Sequence, residues 1–91
     1  MSQFTAEKKV TREEFMELAQ SGMRELFDAG PYKVVDGTKG SELHHFVYNT
    51  QTHDCYLIDL RTSYELLAMF YAGGDKEGVE NALNNIATSA E

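Results

Sequence analysis

The chain has 91 residues, is 42% apolar, carries a formal charge of −7 and holds one cysteine. That length supports one small core. The composition excludes a disulfide framework and a bilayer-spanning run of roughly 18 apolar residues. An acidic surface repels phosphate, which sets aside nucleic acid and anionic membranes as main ligands.

Met1 to Val10 has Lys8 and Lys9 against Glu7 and lacks the apolar stretch of a signal peptide. It is expected to be a flexible N-terminal segment, residues 1–10. A single α+β domain is expected over residues 11–88, with a frayed tail at 89–91. A lone Cys55 suits a reducing compartment, so the expected location is cytoplasmic.

A helix is expected to open at Thr11. Thr11-Arg12-Glu13-Glu14 matches a capping box, in which the threonine oxygen takes a backbone N–H and the glutamate reaches back. Phe15, Leu18, Ala19, Met23, Leu26 and Phe27 then recur at helical spacing. Ala29-Gly30-Pro31 reads as its end, because glycine accepts the left-handed cap and proline cannot continue. On such a helix Glu13, Glu14, Glu17, Glu25 and Asp28 gather opposite the apolar stripe, interrupted by Arg24.

Tyr32 to Val35 reads as a short strand, Asp36-Gly37 as a turn, and Gly37 to Ser41 as a flexible loop. Ser41 to Leu60 reads as a β-hairpin that is apolar on both faces. Side chains alternate along a strand, so Leu43, Val47, Tyr56, Ile58 and Leu60 point one way while Phe46, Tyr48, Cys55 and Leu57 point the other. One face meets the chain's own helices. The other needs a further helix, a twin subunit or a partner. Thr62-Ser63-Tyr64-Glu65 is a second capping-box match, opening a helix from Ser63 to Tyr71 that is apolar nearly all round. A third helix follows Asp75, with Val79, Ala82, Leu83 and Ile86 inward and Asn81, Asn84 and Asn85 outward.

These elements predict an α+β fold with a three-stranded antiparallel sheet and the order α-β-β-β-α-α. The order helix, three strands, helix resembles that of double-stranded-RNA-binding domains. That family holds phosphate with basic residues on its second helix. Here Arg61 and Lys76 stand amid Glu65, Asp75, Glu77 and Glu80, so the likeness covers element order alone. The order with an extra helix, in a short acidic chain, also resembles small phage-encoded inhibitors of Cas9 that mimic the charge of DNA. A viral or mobile-element origin fits a short, acidic chain with few motifs.

His44, His45, His53 and Cys55 fall within twelve positions of one another. Neighbouring His44 and His45 face opposite sides of a strand. If Tyr48 pairs with Cys55, His44 sits four residues, or roughly 13 Å, from the thiol, which zinc bonds cannot bridge. In the same register it lies across from Asp59. No metal and no other cofactor is expected. His53 lies two residues from Cys55, beyond hydrogen-bond reach along a strand, so no catalytic cysteine pair is expected. The Gly37–Ser41 loop lacks the spacing of a phosphate-binding loop and leads into a strand instead of a helix.

Five tyrosines and five phenylalanines exceed what one small core consumes. The leading expectation is a non-enzymatic protein-binding module that acts as an inhibitor or adaptor by occupying a partner's surface. Two surfaces are candidates. The acidic helix face (Glu13, Glu14, Glu17, Glu25 and Asp28) would meet a basic partner. The outer hairpin face (Phe46, Tyr48 and Leu57, with Cys55) would supply an apolar anchor or a homodimer seam. The alternative is a self-assembling binder of a nucleotide-like ligand at a subunit interface, using Lys39, His44, Arg61 and Tyr48.

Overall fold

The computed structural model describes residues 4–91. Five antiparallel strands form one sheet: β1 (Lys8–Val10), β2 (Gly22–Ala29), β3 (Tyr32–Lys39), β4 (Glu42–Asn49) and β5 (Cys55–Ile58). Helix α1 (Arg12–Leu18) separates β1 from β2. Helix α2 (Leu60–Leu67), a π-helical turn (Ala68–Ala72) and helix α3 (Lys76–Ser89) follow β5. The strands lie in the order β1-β5-β4-β3-β2. The α+β class stands, but the three-stranded sheet does not. The element order is β-α-β-β-β-β-α-α, so the likeness to double-stranded-RNA-binding domains and to the Cas9 inhibitors loses its basis.

The largest correction lies between Ala19 and Ala29. Thr11 does cap α1: its hydroxyl accepts from the Glu14 N–H at 3.1 Å, and Glu14 accepts from the Thr11 N–H at 3.0 Å. The helix nevertheless ends at Leu18, and the chain turns through Gln20 and Ser21 into β2. A β-bulge at Leu26 explains the misleading period. Glu25 pairs with Val35 and Phe27 with Val34, so two residues two apart lie on opposite faces. The extra residue turns strand alternation into the helix-like spacing Met23, Leu26, Phe27.

Gly30-Pro31, read as a helix stop, is the two-residue loop of the β2–β3 hairpin. Gly40-Ser41 does the same for β3–β4. Both loops begin with a glycine at positive φ, +59° and +63°, as tight hairpins of matching twist require. Asp36-Gly37 is the middle of β3 instead of a turn, because that strand runs on to Lys39. At Gly37 the reason for glycine is close approach: a Cβ there would lie 2.6 Å from the Cβ of Ala19, at the end of α1.

The hairpin is apolar on both faces as expected, with Tyr48 opposite Cys55, but it ends at Ile58, and Leu60 belongs to α2 because Asp59 caps that helix. Each face carries a core. On one, Phe27, Tyr32, Val34, Val47, Tyr56 and Ile58 pack against Leu66, Val79, Leu83 and Ile86 of α2 and α3. On the other, Val10, Val35, Phe46 and Cys55 form a smaller core beneath Phe15 and Leu18 of α1. The predicted stripe of α3 is buried as expected, and Asn81, Asn84 and Asn85 are exposed. Helix α2 starts earlier than its sequence suggested. Asp59 caps it by accepting from the Thr62 N–H at 2.8 Å.

Residues 8–10, expected to be flexible, form β1 against β5. The chain end is held as well: Ser89 accepts from the Ala6 N–H at 3.0 Å, and Tyr56 donates to Glu91 at 2.9 Å. Both sheet edges are guarded against further pairing. β1 is three residues long and bears two lysines. β2 is bulged, and its Leu26 carbonyl accepts from the Tyr71 hydroxyl at 2.8 Å.

Candidate functional site

The second face of the sheet is only partly roofed, because α1 has seven residues. Beside it lies a groove of about 700 Å³, lined by Arg12, Phe15 and Met16 of α1, Met23 and Glu25 of β2, Lys33 and Val35 of β3, and Tyr48, His53 and Cys55. Alternation puts Met23, Glu25, Val35, Tyr48 and Cys55 on this face, since Glu25 pairs with Val35 and Tyr48 with Cys55. Val35 and Cys55 are buried. Met16 and Met23 stand 58% and 54% exposed, so two flexible thioethers face solvent beside an apolar floor.

The rim is polar and ordered. Lys33 donates to Glu25. The Tyr48 hydroxyl lies 2.7 Å from Nδ1 of His53. His53 has φ +66°, a left-handed conformation uncommon outside glycine. Its N–H donates to the Asn49 carbonyl at 2.7 Å, which holds the turn in place. Burial pushes the Cys55 thiol up to about 12, so the sulfur stays protonated at neutral pH and is a poor nucleophile.

The expected acidic helix face does not exist, because the five acids do not share one helix. Glu13, Glu14 and Glu17 lie on α1, whereas Glu25 and Asp28 lie on β2. Three of the five acids are also engaged by lysines: Glu14 with Lys8 at 2.9 Å, Glu17 with Lys39 at 2.8 Å and Glu25 with Lys33 at 2.6 Å. Lys39 draws the Glu17 carboxyl below its ordinary range, and the Thr11 N–H does the same for Glu14.

The expected hairpin anchor is divided. Phe46 is fully buried under α1 and Leu57 is half-buried, because α1 crosses this face. Tyr48 reaches the groove. The alternative set is scattered. Lys39 is bound to Glu17, His44 lies 3.2 Å from Glu42 instead of meeting Asp59, and Arg61 is held by Glu65. Arg61 lines a shallow dish with Leu60 and Tyr64, away from the groove that Tyr48 lines.

Sequence reasoning missed Arg12, Met16, Lys33 and His53 as neighbours, and it placed Met23 in a helical core. The signal that was present is the pair Met16 and Met23, whose flexible thioethers suit an adaptable binding surface. Among the described residues no three of His, Cys, Asp and Glu are arranged to hold a metal ion. Among the described residues no helix is long and apolar enough to cross a membrane. Comparison with protein-family models, with characterised proteins and with solved structures finds no match to this chain.

Proposed function

We propose that this chain is a non-catalytic protein-binding module whose groove beside α1 takes apolar side chains of a partner. It acts as an inhibitor or adaptor by occupying that partner's surface. The observation that carries the reading is the exposure of Met16 and Met23 over the apolar floor of Val35 and Cys55. A site of this size buries a few side chains, with polar groups at its edge to orient them. The two methionines adapt to different shapes at low cost in strain.

The reading is tested with three tagged proteins: wild type, Met23→Asp, and Leu43→Asp. Leu43 is 49% exposed and outside the groove, so its variant controls for general loss of surface hydrophobicity. A partner captured by wild type and by Leu43→Asp, lost with Met23→Asp, and rebound by the purified proteins is the expected result. A purified partner that binds Met23→Asp as tightly as wild type would overturn it.

A further inference from the structure

We infer that the apolar group taken by the groove carries a carboxylate, which Arg12 and His53 receive. This rests on the groove reading above and names the chemistry of its occupant.

The charge inventory points to Arg12. Lys8, Lys9, Arg24, Lys33, Lys39 and Arg61 each lie within ion-pair distance of a carboxylate. Among the described residues only Arg12 and Lys76 do not, and Arg12 lines the groove. At the rim Glu25 and Lys33 neutralise each other. The groove lining therefore carries a local excess of one positive charge on a chain whose formal charge is −7.

His53 supplies the second group. Its backbone stands at φ +66°, a conformation that costs energy and is fixed by the Asn49 carbonyl and the Tyr48 hydroxyl. Nδ1 is taken up with Tyr48, and among the described residues Nε2 has no hydrogen-bond partner. The left-handed turn and the Tyr48 contact together fix the His53 ring at the groove lining.

The net charge decides which anion. A polyphosphate or nucleic acid multiplies the long-range repulsion from the acidic surface. A single carboxylate meets the least repulsion, and a guanidinium receives it through two parallel N–H donors. Recognition is then short-range and depends on Arg12.

The test uses the full chain, labelled with ¹⁵N, and three blocked peptides: acetyl-glutamyl-leucyl-phenylalanine amide and its glutaminyl and lysyl counterparts. Amide shifts of Met16, Met23 and Val35 report occupancy of the groove. The glutamyl peptide is expected to bind about three- to tenfold more tightly than the glutaminyl one. Arg12→Gln should remove most of that difference. His53→Asn, which tolerates the left-handed backbone, should reduce the difference in part. Equal binding of all three peptides, or tighter binding of the lysyl peptide, would overturn the carboxylate inference and leave the groove reading intact. Absence of groove shifts with every peptide would overturn both.

Discussion

Phe15 of α1 meets Phe46 of β4 edge-on, with ring centroids 4.8 Å apart and planes at 80°. This contact closes a sheet face that would otherwise be bare, and it positions one wall of the groove. Edge-to-face pairs contribute beyond the area they bury.

Phe15→Ala should lower unfolding stability by about 2–3 kcal/mol, less than a fully buried phenylalanine loses, because Phe15 is only half-buried. Urea titration followed by circular dichroism measures it. A loss under about 0.5 kcal/mol, the range of ordinary surface substitutions, would mean that α1 does not bear on the sheet as described.

Gly37→Ala should destabilise by about 1–3 kcal/mol, the usual cost of forcing an extra group into a packed site. The added Cβ would meet Ala19 at 2.6 Å and Phe46 at 3.3 Å, and the end of α1 would have to move. Ala19→Gly in the same chain should recover part of the loss. A neutral Gly37→Ala would show that α1 sits farther from β3.

His45 is buried opposite Asp36, and among the described residues neither ring nitrogen has a partner. Burial holds its pKa below the ordinary 6.5, while Asp36 opposes that shift and His44 and Arg24 add to it. The unfolded chain therefore takes the proton first. Stability is full above about pH 6.5 and declines as the pH falls from there toward the folded-state value. His45→Leu should flatten that decline. It should also match or exceed wild-type stability near neutral pH by about 1 kcal/mol, because it removes two unpartnered polar atoms. Urea midpoints from pH 7.5 to 5.5 decide it, and an unchanged slope in the variant would assign the decline to other groups.

Cys55 should resist alkylation. With the thiol pushed up to about 12 by burial, iodoacetamide at pH 8 should leave the native protein unlabelled over an hour and label it fully in urea. Mass spectrometry reads both states. Rapid native labelling would mean that the groove floor opens to solvent.

Where a local pattern determines structure, the sequence was sufficient. The Thr11–Glu14 capping box, the stripe of α3 and the pairing of Tyr48 with Cys55 depend on residues near one another in the chain. The two-sided hairpin was legible too, because alternation is a property of each strand alone. The segment from Ala19 to Ala29 was not. Its spacing suits a helix, and β3 recruits it as an edge strand by pairing that one bulged residue offsets. Tertiary structure likewise decided that residues 8–10 pair with β5, that α1 covers Phe46, and that Arg12, Met23, Lys33 and His53 meet around one groove. Those outcomes depend on contacts between distant parts of the chain, whose free energy overrides weak local preference and leaves little trace in any short window of sequence.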